Sequence, residues 1–309
     1  MRRAERGVAA VTAILVVAVA AAAATWMLAQ QSATLNQAAL VASRAQADLY
    51  ADAGLDWARG VLATDGRESP TDTLAEGWAQ PLPALPVERA VVGGAIVDAQ
   101  SRFNLNNLVK DGARSDADVQ VLKRLLESLA LDANLADAVL DWIDADSDPA
   151  GPGGAEDSHY LALARPHRAA NRALVMVEEL HRVRGFDAPA IERLRPFVTA
   201  LPVRTPVNAN TAGAEVLHAI LPELSRTEVR ALVASRATKP FRDRADLAER
   251  AKKAAPTAIQ SDLDVKSAHF LVAVSVSQDD VRLAVEALVA RPAGGSGPST
   301  AIIWRRPLA

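Results

Sequence analysis

From Val8 to Ala29 the chain is apolar at nearly every position, with Thr12 and Thr25 the only polar interruptions. As a helix rising 1.5 Å per residue, this run spans about 33 Å, close to the ~30 Å hydrocarbon core of a bilayer. The pattern then shifts without a break. Neither Gly nor Pro occurs between Ala29 and Gly54, and Leu35, Ala38, Ala42, Leu49, Ala53, Trp57 and Val61 recur at helical steps. One helix from near Val8 to about Leu62 is predicted, apolar all round in its first half and carrying an apolar stripe along its second. Residues 64–86, ending in PLPALP, read as loop, and Ala90–Ala99 as a strand whose double glycine marks a bulge.

From about Asp116 to Leu263 the period is helical. Short stripes run through Val119, Leu122, Leu126 and Leu129; Leu135, Val139 and Trp142; Leu174, Val177 and Leu180; Ile191 and Leu194; and Val216, Ile220 and Leu221. Ser225-Arg226-Thr227-Glu228 reads as a capping box opening a further helix through Leu232, Val233 and Arg236. The period then becomes two. Phe270, Val272, Val274 and Val276 alternate, QDD turns the chain, and Val281, Leu283, Val285 and Val289 alternate again. Ile302–Trp304 offers another strand after a GGSGP turn. β segments therefore flank a helical unit, which is the pattern of a helical domain inserted into an α+β domain.

Composition narrows the classes. The 309 residues are 50% hydrophobic, 23% charged and 4% aromatic, with a net charge of −3 that gives no field for a polyanion and no cysteine for disulfides or thiolate metal sites. Arg2, Arg3 and Arg6 precede the apolar run, which predicts a cytoplasmic N-terminus and places the body across the membrane. A cleaved signal peptide is the alternative, with a site in Ala18–Ala24, but its apolar region is normally only about 7–15 residues.

The densest chemistry lies in DWIDADSDPAGPGGAED, Asp141 to Asp157, with six carboxylates and no Lys or Arg. Asp144, Asp146 and Asp148 alternate, Asp141 lies a helical turn earlier, and Glu156 and Asp157 follow a GPGG loop that lets the chain fold back. Hard oxygens at this density suit Ca²⁺, which takes six to eight of them. The opening is like that of an EF-hand loop, yet Pro149 stands where its Gly belongs and Ala155 where its bidentate Glu belongs. A solvated acidic loop remains the other reading. Asn106, Asn107, Asn208 and Asn210 are expected to cap helices or close turns. His159, His167, His181, His218 and His269 are scattered, and neither a zinc-protease, a nucleophile-elbow nor a phosphate-loop motif occurs, so no enzyme is expected.

Residues 205–247 resemble helix-hairpin-helix modules. The turn LPELS lacks the Gly-x-Gly that approaches a phosphate, and Glu215, Glu223, Glu228, Asp243 and Asp246 offset Arg226, Arg230, Arg236, Lys239, Arg242 and Arg244. A shared helical fold without nucleic-acid binding is expected, and a membrane-tethered DNA-binding protein is the alternative function. A secreted calcium-binding protein released by signal-peptide cleavage is a third.

Several blocks in order resemble the minor pseudopilin K family of the type II secretion system (GspK-like): MRRAERG followed by VAAVTAILVVAVA, then SRFNLNNLV, DWIDADSDP, GGAEDSHY, AANRAL, VEELHRVRGF, LRPFVTALP and TPVNANTAGAEVL. The resemblance implies a type IV pilin-like fold: a long N-terminal helical spine on an antiparallel sheet, with a large inserted all-helical domain. It divides the chain into a leader at 1–7, the transmembrane half of the spine at 8–29, pilin-like parts at 30–103 and 265–309, and the insert at 104–264 in two halves, about 104–204 and 205–264. Prepilin peptidase would cut between Gly7 and Val8, and Val8 would then be methylated. Most pilin-like proteins carry Glu at the fifth residue after the cut; here it is Thr12, a departure that the K family shares. The implied function is to cap the tip of the periplasmic pseudopilus and help start its assembly. The implied partners are the I, J and H minor pseudopilins and the major pseudopilin, and the implied home is the inner membrane, crossed once. Family members are reported to bind calcium in the helical domain, which favours a structural Ca²⁺ held by Asp144, Asp146, Asp148, Glu156 and Asp157, with Asp141 either joining them or facing solvent.

Overall fold

The computed structural model describes residues 2–252, 256–291 and 300–308, with side chains at 11–252, 258–291 and 300–308. One helix, α1 (Arg2–Glu68), runs some six residues past its expected end. Every residue from Val11 to Ala42 is exposed. Thr25, a polar group inside the apolar run, donates its hydroxyl back to the carbonyls of Ala21 and Ala22 at 3.0 and 2.9 Å. The helix thereby satisfies its own polar groups, as a lipid environment demands.

Burial starts at Ala47 and continues through Ala51, Leu55, Ala58 and Leu62. This is not the stripe that the larger side chains trace, for Leu35, Leu49 and Trp57 are 69%, 68% and 53% exposed. The helix turns its small residues to the sheet instead. A Cβ on Gly54 would lie 2.9 Å from a Val274 methyl, so the helix axis comes in close. Alanine and glycine carry little hydrophobic weight, which is why periodicity finds the bulky, outward face.

The sheet has the order β1 (Leu82–Val87), β2 (Ala90–Asp98), β3 (His269–Gln278), β4 (Val281–Ala290), β5 (Ala301–Pro307), all antiparallel. Phe270, Val272, Val274 and Val276 of β3 and Val281, Leu283, Val285 and Val289 of β4 pack under α1, as their alternation predicts. Asp279, with φ 50°, turns β3 into β4.

Two expectations fail here. PLPALP is strand and not loop, because β1 is an edge strand, where proline's missing N–H leaves no ladder bond unmade. The double glycine does not bulge β2, whose register against β3 is continuous; the shift falls on the β1 side, between Leu82 and Leu85. Gly94 is there for closeness, since a Cβ would sit 2.5 Å from the Ala273 carbonyl oxygen. Gly94→Val is expected to lower unfolding stability by about 1–3 kcal/mol, the range for overpacking, in a denaturant titration. The expected GGSGP turn falls outside the described residues.

Between β2 and β3 the chain builds a second core. The helices α2 (Asp116–Ser128), α3 (Leu135–Ile143), α4 (Asp157–Tyr160), α5 (Ala188–Leu194), α6 (Ala214–Ile220), α7 (Arg226–Thr238), α8 (Arg244–Arg250) and α9 (Pro256–Asp262) bury one continuous apolar cluster from Phe103 to Val265. The capping box at Ser225 and Glu228 is present. Leu174 lies outside any helix, and Val177–Arg182 is a 3₁₀ turn.

Each half of this unit is clasped by a two-residue parallel ladder joining its ends: Phe103 with Val198 and Asn104 with Thr199, then Val207 with Leu263 and Asn208 with Asp264. The asparagines do more than the local capping expected of them. Asn106 exchanges hydrogen bonds with both the N–H and the carbonyl of Leu174 (2.8 and 2.9 Å), Asn107 with those of Thr205 (3.1 and 2.8 Å) and Asn210 with those of Phe241 (2.8 and 2.9 Å). A carboxamide presents one donor and one acceptor side by side, as a peptide unit does, so each closes a two-point bond with a distant strand of backbone.

The two cores meet at a buried polar junction. Arg291, at the end of β4, forks onto Asp72 (2.6 Å to Oδ2) and reaches Asp65 (2.7 Å) and the Ser267 carbonyl (2.9 Å). Asp98, at the end of β2, accepts from Thr211 (2.6 Å), Ser267 (2.7 Å) and Asn208 (3.0 Å).

Candidate metal centre

Helix α3 is buried along its whole length, so the carboxylates at its end are carried inward. Asp141 is fully buried and Asp144 is 7% exposed. Past Asp144 the backbone becomes extended, and the GPGG loop returns it. Gly151 takes φ +142°, and a Cβ on Gly154 would lie 2.4 Å from Asp141 Oδ2 and 2.8 Å from the Ala150 nitrogen. A glycine there is thus what lets the return strand press onto the acid. It delivers Glu156, 4% exposed, beside Asp144.

One oxygen each from Asp144, Asp146 and Glu156 lies within 4.8 Å of the others. Asp141 stands behind them, one oxygen accepting from the Ala150 N–H at 2.9 Å. It does not face solvent. Asp148 is exposed and outside the group, its N–H donating to Asp146 at 2.9 Å. Asp157 is also outside, its oxygens held by Arg168 (3.1 Å) and the Ala169 N–H (3.0 Å). Sequence spacing could not separate these two from the rest, because both are near in sequence and are turned away by the loop.

Asp137, not among the expected residues, is buried beneath the same loop, paired with Lys123 at 2.8 Å. Its place four residues before Asp141 on one helical face is the signal that marks it. Arg184 ties the loop down by donating to the Gly154 carbonyl at 2.7 Å.

Among the described residues, Asp141 Oδ2, Asp144 Oδ1 and Glu156 Oε1 are buried with no hydrogen-bond donor. Burial, then Asp146 and Asp141, raises the Asp144 pKa to about 6. Burial, then Asp141, Asp144, Asp146 and Asp157, raises that of Glu156 to about 7. Burial also raises Asp141, against the backbone N–H groups that it accepts. Carboxylates are acceptors only, and a buried group of them must take up protons or a cation. Oxygen-only donors suit a hard divalent ion, and these residues fit Ca²⁺.

Two of the basic residues of 205–247 are engaged within the unit. Arg236 is buried against the Ala209 and Ala212 carbonyls, burial lowering its pKa to about 10. Arg244 pairs with Asp264 at 2.6 Å, while Arg242 stays exposed, 3.9 Å from Asp246.

The expected cleavage point, between Gly7 and Val8, lies within α1 at residues whose side chains are outside the described set.

Comparison with known proteins gives one family throughout. Models described as type II secretion system protein K match residues 101–203 and 207–266. A protein K of Pseudomonas aeruginosa is 34% identical over 91% of this chain and 87% of its own length. Another, from Klebsiella pneumoniae, is 32% identical over 99% and 97%. A solved complex of GspK, GspI and GspJ from enterotoxigenic Escherichia coli aligns with a TM-score of 0.75 at 26% identity, covering 85% of this chain and 96% of that one.

Proposed function

Since the chain belongs to the type II secretion system protein K family, we propose that this minor pseudopilin caps the tip of the periplasmic pseudopilus and helps to start its assembly. The observation that carries the reading is where the bulk sits. The end of α1 meets the helical unit's exit, with Lys266 donating to the Ser69 carbonyl at 3.0 Å. At 1.5 Å per residue, Ala29 and Glu68 are about 58 Å apart along the helix, so the unit is held far from the apolar segment. A subunit placed above would have to share that space.

Thr12 gives no carboxylate with which to pair a preceding subunit's terminal amine, which also suits a first position. The apolar segment anchors the chain once in the inner membrane, N-terminus inside and body in the periplasm. Prepilin peptidase trims it after Gly7. The outward stripe of Leu35, Leu49 and Trp57 packs on the helices of I, J and H minor pseudopilins and the major pseudopilin. Asp144, Asp146 and Glu156, backed by Asp141, hold Ca²⁺, which supplies the positive charge that the buried acids lack and fixes the loop between α3 and α4.

Gold labelling of assembled pseudopili with an antibody against the helical unit is expected to mark one end of each filament. Labels spaced along the filament would overturn the cap.

A further inference from the structure

Outside the acidic centre, a cavity of about 400 Å³ opens where the helical unit leans on the outer face of the sheet. Its floor is set by strand register. Leu271, Leu288 and Trp304 line up across β3, β4 and β5, and Glu286 stands opposite Arg306. Its far wall comes from residues 175–178 and 195–200 of the helical unit, and Arg102 enters from the connection between the two.

The pairing in this groove leaves one guanidinium out. Arg306 pairs with Glu178 (2.8 Å) and Glu286 (2.6 Å), and Arg195 shares Glu178 (2.5 Å) and also holds Glu192 (2.9 Å). Glu178 and Glu286 are the carboxylates of the lining, and both are taken. Arg102 is the third guanidinium, and no hydrogen bond or ion pair holds it among the described residues. Burial pulls its pKa below the usual arginine value, with Glu286 opposing this and Arg195 adding to it.

Two more donors lie behind the lining, the Trp304 indole N–H and Arg195 Nε, and neither has surface open to the groove. The partner that Arg102 lacks is therefore an acceptor. Native structures rarely leave such donors unmet, and an unmet group calls for an explanation. The valence is also constrained: one guanidinium is unpaired, and Glu178 and Glu286 would repel a dianion. That matches a carboxylate, which can take a guanidinium through both oxygens, and disfavours phosphate or nucleic acid. Apart from Thr199 the rest of the lining is apolar, including Val175 and Leu308, each partly exposed. Apolar walls around one charged contact suit a short peptide segment.

We infer that this groove receives a carboxylate-bearing peptide segment of a partner protein, clamped by Arg102. The inference is independent of the cap, since it concerns the sheet's outer face and not the spine.

The test uses the full-length chain in detergent with calcium and fluorescently labelled hexapeptides of mixed apolar sequence. One carries only a C-terminal carboxylate, one only an internal Glu, and one neither. Saturable anisotropy changes are expected with at least one acidic peptide and none with the neutral one. The two acidic arms tell a chain terminus from a side chain. Arg102→Gln is expected to weaken binding at least tenfold, Arg102→Lys severalfold, and millimolar inorganic phosphate to compete poorly. Arg102→Lys keeps the charge and stands in should Arg102→Gln misfold. Equal binding of acidic and neutral peptides, no binding of any, or full affinity in both variants would each overturn the inference.

Discussion

Calcium at a thousandfold excess over its dissociation constant is expected to stabilise the full-length chain in detergent by about 4 kcal/mol over the chelated form. For a domain of this size that corresponds to roughly 10 °C in the unfolding midpoint. The reason is the set of buried, donorless oxygens on Asp141, Asp144 and Glu156.

Acidity gives this prediction a sign. The folded pKa values of Asp144 and Glu156 are raised to about 6 and about 7, while unfolded carboxyls titrate near ~4. Between those values the folded state holds protons that the unfolded chain has released. The chelated protein therefore loses stability as pH rises from about 4 to about 7. Calcium needs the same oxygens deprotonated, so the shift that it produces grows over the same window.

Asp144→Ala combined with Asp146→Ala should abolish the calcium shift and lower the midpoint in calcium. In chelator the double variant should match or exceed the parent, having lost its repulsion. A parent whose thermal scans superimpose with and without chelator at neutral pH would rule out a structural ion.

Arg291→Leu is expected to destabilise the chain by about 3–5 kcal/mol, the range for removing one partner of a buried ion pair. Asp72 is fully buried and loses its charge partner, while Asp65, already raised to about 6 mainly by burial, loses a nearby compensating charge. Arg291→Lys keeps the charge but not the fork, and should fall between. Adding Asp72→Asn to Arg291→Leu should recover part of the loss, because the two share one interaction. Chemical denaturation at pH 7 measures all four proteins. A loss no larger than about 0.5 kcal/mol, ordinary for a surface position, would mean that the junction carries no net stability.

Much of the architecture is readable from period alone. Alternation places β3 and β4, helical spacing places α2, α3 and α6, and the Ser225 box marks where α7 begins. What escapes has a common physical cause. The buried face of α1 mixes alanines with Leu55 and Leu62, the edge strand β1 contains prolines, and the junction joins Asp65, Asp72, Asp98 and Arg291 across long sequence separations. Propensity and pattern are local, and none of these is decided locally. The acidic centre is legible as a region, since so many like charges must be neutralised. Its members are not, because the loop decides that Glu156 turns in and Asp148 turns out.

The entry and exit of the helical unit lie side by side: the Ala268 N–H donates to Gln100 at 2.6 Å, and the Arg291 N–H to the Ala268 carbonyl at 2.7 Å. Tension or thrust applied along the spine has a complete path through α1 and the five strands without crossing the appendage. The appendage rides as a side load. Drag on it reaches the rest of the chain as torque, borne at the neck beside Arg291 and Asp98 and where Glu178 leans on Arg306 of β5.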